Sequence, residues 1–562
     1  MISKIDLNNI ENNTEPIRQK LKFFFESNIK NFSDLISNSD LNKNIDWCLS
    51  LPYSRNTLVS KFYEKFCTLL FIQSILKEND SINEIIVETD TEKKIIETYI
   101  TNSLFIHVVN KTKKFTNFKN AITLFIFFLN QLVSRSLQLF FCRLTKIFEK
   151  SRIVDNIILI DVYAIPNFYT KDRYFVNLLD FVDNEDEIFF LPTIAYTKIS
   201  DFFKVYKEFR KSKNNYLLKE DFVSFFDVIK SIFFIYRVRK LSIKNFKFNE
   251  IDFSNIIKDE INSLNGDNIA IEGWVNYYFF KRLKNTNIKI QKLIDWWENQ
   301  STDKGMNLGI KKYFPITPTL GYLGYVPRYL ELQVLPTKTE CEYNMIPDEI
   351  SVIGKAIINK LKYLNSELKV ITAPAFRYNY LWDIDKKFNK NLVNILIALP
   401  ILLEDTVEIV NKVKNLENYI SLEKYNFLIK LHPTMDDNIF FDKVNLSLNK
   451  NFILTNKNIK VLLEHVDLVI SSKSIVCLEA VSLGIPTLVF EKQNIINFNP
   501  IPKEIDKQLY KNFFTTKDLY KYLIYFESRD YDKNLLDIQN ANKIRSEFFE
   551  KIDKEKVQIF IK

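Results

Sequence analysis

The chain has 562 residues, 46% of them hydrophobic and 26% charged, with a formal net charge of +9. A single core rarely grows past about 250–300 residues, so the length predicts more than one domain, and the composition excludes wholesale disorder. The charge is mild: it suits anionic partners or a membrane surface and does not specifically indicate nucleic acid. The five cysteines are scattered, odd in number and without CxxC spacing. That argues against a disulfide framework and a structural zinc site, and fits a reducing cytoplasm. The opening "MISKIDLNNIENNTEP" has no apolar run, so no secretory signal is expected.

Residues 1–80 read as mostly helical, with one short strand candidate at Asp46–Pro52. "INEIIVETD" (Ile82–Asp90), "NIILIDVYAIP" (Asn156–Pro166) and "DEIFFLPTIA" (Asp186–Ala195) read as strands. The second is almost continuously apolar, as a strand buried on both faces should be. Strands separated by helices predict parallel α/β layers. Between them lies Asn120–Phe148, whose apolar residues recur at helical spacing. Lys111, Lys113, Lys114 and Lys119 precede it, and Arg143, Lys146 and Lys150 follow within or after it. A spanning helix needs about 20 mostly apolar residues. Arg135 near the centre would cost about 2.5–3.5 kcal/mol there, so an amphipathic helix is expected. Such a helix serves either a membrane surface or the sheet.

Five of the eight glycines fall between Gly273 and Gly324, within "AIEGWVNYYFFKRL", "IDWWENQSTDKGMNLGIKKYFP" and "TPTLGYLGYVP". In so glycine-poor a chain they mark candidate cleft-lining loops. Pro347–Leu361 reads as the entry to a second domain. After it, Asn394–Val413, "YNFLIKLHP", "FILTN" and Val466–Asn494 supply repeated strand–helix steps, a doubly wound pattern. The expected domains are 1–345, 346–530, and a helical tail over 531–562.

Ligands of an open parallel sheet sit outside the carboxyl ends of its strands. Two features converge there. His432, one of only three histidines, precedes Pro433 at the end of "NFLIKL". "SSKS", Ser471–Ser474, ends "DLVI" and opens a helix that carries Glu479. Serines at a helix start offer hydroxyls and free N–H groups at the positive end of its dipole, and so suit a phosphate. His432 can donate to the same phosphate and help it leave. Glu479, one to two turns below, is placed to meet a ribose hydroxyl. Each feature also has a plain structural reading: a capping serine pair, a solvated glutamate, a loop histidine.

"KLHP" followed by "DLVISSKSIVCLEAVSLGIPTLVF" resembles the donor-nucleotide half of GT-B glycosyltransferases of bacterial surface polysaccharide biosynthesis. These include capsule Kdo transferases, sialyltransferases and CDP-glycerol glycerophosphotransferases. "WWENQSTDKG", "TLGYLGYVP" and "APAFRYNYLW" resemble a group within that set thought to use nonulosonic acids. The likeness covers about residues 270–495. It implies an α/β fold of two Rossmann-like doubly wound domains facing a cleft. It implies transfer of a Kdo-like or nonulosonic sugar from a CMP-activated donor to a surface glycan or lipid-linked acceptor, with inversion and without metal or cofactor. It also implies a cytoplasmic protein, peripheral on the inner membrane face. By position, His432, Ser471 and Ser472 would hold the donor phosphate, with Pro433, Ser474 and Glu479 beside them. The family's acidic base motif in the N-terminal domain is not visible. Glu220 and Asp221 rank first as the general base, adjacent carboxylates of which one should have a raised pKa. Glu298 ranks second, and Asp161 is a further candidate. The rivals are a CDP-glycerol-type polyol-phosphate transferase and a non-catalytic scaffold of polysaccharide assembly.

Overall fold

The computed structural model describes residues 4–78, 82–99, 105–109, 114–149, 156–171, 173–182, 185–386, 393–433, 435, 437–444, 450–492, 499–528 and 531–561. Two large sheets organise it. The first contains β1 (Asn156–Ala164), β2 (Ile188–Ile194), β3 (Asn215–Tyr216), β4 (Lys289–Trp296), β5 (Thr319–Leu323), β6 (Glu349–Val352) and β7 (Val370–Thr372). Its order is β7-β6-β5-β4-β1-β2-β3, with every pair parallel. The second contains β8 (Asn394–Ala398), β9 (Asn426–Lys430), β10 (Phe452–Leu454), β11 (Leu468–Ser471), β12 (Thr487–Phe490) and β13 (Tyr510–Phe513). Its order is β10-β9-β8-β11-β12-β13, again all parallel. Both are doubly wound, with the order reversing between β1 and β4 in one and between β8 and β11 in the other. The central strands are apolar throughout. Ile157 to Ile160 and Ile395 to Ile397 are buried, as helices on both faces require. A smaller parallel sheet, Lys4–Asp6, Glu84–Val87 and Phe105–Val108, lies within the N-terminal helical region.

Three sequence expectations are corrected. The domain boundary at 345/346 fails, because β6 and β7 pair onto β5 and complete the first sheet. Pro347–Leu361 is therefore the continuation of the first domain. The short runs "EISV" and "VIT" would read the same in either sheet, and only pairing decides. The strand candidate Asp46–Pro52 is two short helices, Ile45–Cys48 and Leu51–Ser54. Asn44 caps one by accepting from Asp46 N at 2.8 Å, and Pro52 suits the first turn of the other.

The third concerns the glycines. Gly273 lies in helix Asn268–Leu283, and Gly305 and Gly309 lie in helix Ser301–Tyr313. A Cβ on Gly305 would overlap the backbone of Gly273, and one on Gly273 would overlap the Ser301 carbonyl. These glycines let two helices cross at backbone contact; they do not line loops. Gly305→Ala is expected to destabilise the protein by about 3 kcal/mol, the upper part of the overpacking range, because backbone cannot yield as a side chain can. Thermal unfolding checks this.

The C-terminal tail returns to the first domain. Glu550 N donates to Ile353 O at 2.6 Å, and Ala375 N donates to Glu550 O at 2.8 Å. Phe560 is buried against Tyr322 and Phe376, with ring centres 5.3 Å from each. The tail is packed onto the first domain rather than forming a separate unit.

Candidate active site

The carboxyl end of β4 turns directly into helix Ser301–Tyr313 through "WENQ". Asn299 sits in the left-handed region at φ 56°, and its Nδ2 donates to Gln333 O at 2.7 Å. Asp303 Oδ2 accepts from Glu298 N and Gln300 N, both at 2.9 Å. This elbow fixes Glu298, half-buried at the switch point of the first sheet. Trp296 Nε1 donates to one carboxylate oxygen at 2.9 Å and Gln300 Nε2 to the other at 2.6 Å. Burial pushes the Glu298 carboxyl up to about 7; the Trp296 hydrogen bond opposes the rise and the nearby Asp303 charge adds to it. Asp161 and Asp295, on β1 and β4 behind it, are buried and likewise raised, first by desolvation.

His432 follows β9 in the second domain, with its carbonyl accepting from Met435 N at 2.9 Å. Burial lowers the imidazole to about 4, and the charges of Arg173, Arg377 and Arg328 lower it further in that order. All three arginines belong to the first domain and are half-buried. Arg173 lies over the Tyr174 ring at 4.9 Å, and Arg377 lies 5.7 Å from the Tyr378 ring centre. Arg328 follows the "GYVP" loop, which Lys360 Nζ holds by donating to Pro327 O at 2.8 Å and Arg328 O at 2.7 Å. Among the described residues no carboxylate forms an ion pair with any of the three. Arg173 is held below its ordinary pKa by burial, and the Arg377 charge adds to that lowering. Arg173 also feels the Glu298 charge. Three arginines of the first domain, none of them ion-paired among the described residues, therefore act on a neutral histidine of the second, and Glu298 acts on one of the three. That arrangement is suited to a bound anion and a proton acceptor.

The serine motif is built differently from its expected role. Ser471 is fully buried, and its hydroxyl donates to Ala398 O across the second switch point. It closes the crevice between β8 and β11. Ser472 is also buried, its carbonyl accepting from Ser474 N at 2.6 Å. Ser474 Oγ accepts from Val476 N at 3.4 Å. Lys473 between them pairs with Asp405 at 2.9 Å. The helix that follows, Val476–Val481, has only six residues. Glu479 is buried and raised by desolvation, and it accepts from Tyr380 OH at 2.5 Å. It joins the two domains beside Arg377, which feels its charge. Pro433 is exposed.

Glu220 and Asp221 lie elsewhere, at the long helix Lys114–Leu144. Asp221 accepts from Arg210 Nη2 at 2.7 and 2.8 Å and pairs with Lys146 at 3.7 Å. Glu220 is buried, and burial is what raises it, with Lys219 opposing. The pair's expected mutual repulsion is not the main cause. Neither residue is among the charges that act on His432, whereas Glu298 acts on Arg173, which does.

Arg173, Arg328, Arg377 and Tyr380 belong to no phosphate-binding or catalytic motif in the sequence. Arg377 and Tyr380 sit inside "APAFRYNYLW" and Arg328 directly follows "TLGYLGYVP". A lone arginine among aromatics and prolines was the available signal. Arg173 carried none beyond its aromatic neighbour.

No family model and no curated protein matches the sequence. Solved structures do resemble the fold. A glycotransferase of kitacinnamycin is 8% identical, with 73% of this chain and 100% of that chain covered and a TM-score of 0.41. A UDP-N-acetylglucosamine 2-epimerase of Listeria monocytogenes is 12% identical, covering 72% and 95%, at 0.41. An alpha,alpha-trehalose 6-phosphate synthase of Burkholderia multivorans is 10% identical, covering 73% and 96%, at 0.40. Likeness at this level carries no functional argument. What decides the architecture is two doubly wound parallel sheets in succession, with the C-terminal tail returning to the first domain. The fold is GT-B.

Proposed function

We propose that this GT-B protein is a glycosyltransferase that moves a carboxylated sugar, Kdo-like or nonulosonic, from a CMP-activated donor to a glycan acceptor. The observation that carries this reading is that Arg173, Arg377 and Arg328 all act on His432 and that, among the described residues, none of the three is ion-paired to a carboxylate, while Glu298 acts on Arg173. A CMP-linked keto-acid sugar bears two separate negative groups, the phosphodiester and the sugar carboxylate. Three forked cations meet two anions, whereas a single phosphate needs fewer.

On this reading the reaction is an inverting displacement. Glu298 takes the proton of the acceptor hydroxyl as its oxygen bonds to the anomeric carbon. The bond from that carbon to the phosphate oxygen breaks on the opposite face, and CMP leaves with the electron pair. The arginines and His432 stabilise the charge growing on the leaving phosphate. On this reading Glu479, held by Tyr380, is the contact for the nucleoside.

The test is a thermal-shift panel of CMP, CDP, UDP and GDP, followed by donor hydrolysis. CMP is expected to stabilise the protein, and a CMP-linked sugar to release free sugar. Stabilisation by UDP or GDP alone would overturn the cytidine assignment, and release of glycerol phosphate from CDP-glycerol would favour the polyol-phosphate reading. His432→Ala is expected to abolish turnover while the fold persists. Wild-type turnover in that variant would remove His432 from the mechanism.

A further inference from the structure

The long helix Lys114–Leu144, continued by a 3-10 turn to Phe148, extends about 46 Å at 1.5 Å per residue. One face packs into the domain: Leu124, Gln138, Leu139, Cys142 and Thr145 are buried. Arg135 pairs with buried Glu272 at 2.7 Å, and Arg143 Nη2 donates to Val223 O at 2.9 Å. The opposite face is apolar and open. Ile122, Phe125, Leu129, Val133, Phe140 and Ile147 run along it, with Phe125 56%, Phe140 57% and Ile147 78% exposed. The adjoining helix Phe225–Ile232 adds Phe226, 71% exposed, and just beyond it Phe233 meets Phe128 with ring centres 5.0 Å apart. Contiguous exposed apolar surface of this length marks an interaction site.

The surroundings say what covers it. From Lys114 to Phe148 the sequence has no Asp or Glu. Around the described end of the stripe lie Arg143, Lys146, Lys204 and Lys211, all exposed, with Lys207 and Lys211 over the Phe148 ring at 5.0 and 5.3 Å. The nearby acids Glu149 and Glu208 are paired with Arg210 and Lys204. Lys111 and Lys113 lie outside the described residues, as do the side chains of Lys114 and Lys119. An apolar stripe rimmed by cations complements an anionic lipid surface. A second copy docked by two-fold symmetry would bring the same cations against each other. By length and composition the helix could cross a membrane, but crossing would strip Arg135 from Glu272 and expose the packed polar residues.

We propose that this helix docks the protein flat on an anionic bilayer, its apolar face among the acyl chains and its basic rim at the headgroups. This is independent of the reaction assigned to the cleft. The experiment is flotation of the full chain with vesicles of phosphatidylcholine alone and with one-third phosphatidylglycerol, alongside light scattering of the free protein. Flotation with the anionic vesicles is expected, weakened by salt. Phe125→Glu with Phe140→Glu should abolish it, and each of Lys204→Glu and Lys211→Glu should weaken it about fivefold or more. These side chains are exposed, so unchanged thermal unfolding confirms that the variants fold. No flotation with anionic vesicles, or flotation indifferent to the phenylalanine pair, overturns the proposal. A concentration-dependent dimer that the phenylalanine pair dissociates, without vesicle binding, assigns the face to a second copy instead.

Discussion

Glu298→Gln is expected to lower kcat by about a thousandfold, within the range that loss of a general base produces. The amide keeps the size of the side chain and can still accept from Trp296, so binding of the nucleotide should change little. The pH profile separates this from a general loss of structure. Glu298 must be ionised to accept a proton, and the cleft holds it up at about 7. In the native enzyme kcat/KM should therefore rise with pH through about 7 and then level. His432, lowered to about 4, contributes no limb in that range. The residual activity of the Gln variant should lack the limb. Stability should move the other way. A carboxyl whose folded pKa lies above its unfolded value contributes most below the unfolded value, and this is lost as pH rises through the folded one. The variant should then unfold no lower than the native protein above about pH 7, and relatively better than at about pH 4. A thousandfold loss on Glu220→Gln, with Glu298→Gln active, would move the base to the long helix and refute the cleft assignment.

Arg173→Gln is expected to weaken binding of a CMP-sugar by about 10- to 100-fold, the loss of a hydrogen bond to a charged group. The same change should raise the melting temperature of the empty protein by about 1–2 °C. Among the described residues Arg173 has no carboxylate ion-pair partner, and burial together with Arg377 disfavours its charge. Removing it relieves that cost when no anion is bound, and binding sites commonly trade stability for function in this way. Calorimetric titration and thermal unfolding of the same sample measure both. Lower stability with unchanged affinity would show that the arginine serves packing against Tyr174 and not the donor.

The sequence alone determined the parallel α/β class, because near-continuous apolar runs such as "NIILIDVYA" and "DLVIS" alternate with helical spacing. It determined the amphipathic helix around Arg135 by the same periodicity. It placed His432 at a strand end, since a strand that stops before proline must deliver its last side chain to the sheet edge. Local patterns suffice for these because the physics is local: side-chain period, φ restriction and capping. Tertiary structure decided the rest. It gave β6 and β7 to the first sheet, a choice of partner that no short strand encodes. It set Gly273, Gly305 and Gly309 in crossing helices and left Gly324 in the loop after β5. It tied Ser471 to Ala398 and Asp221 to Arg210, using up groups that the sequence had offered to chemistry. It also gathered Arg173, Arg328 and Arg377 around His432 from positions up to 259 residues away along the chain. Whether a charged side chain is paired or left open depends on what folding brings beside it, and that is a property of the whole chain.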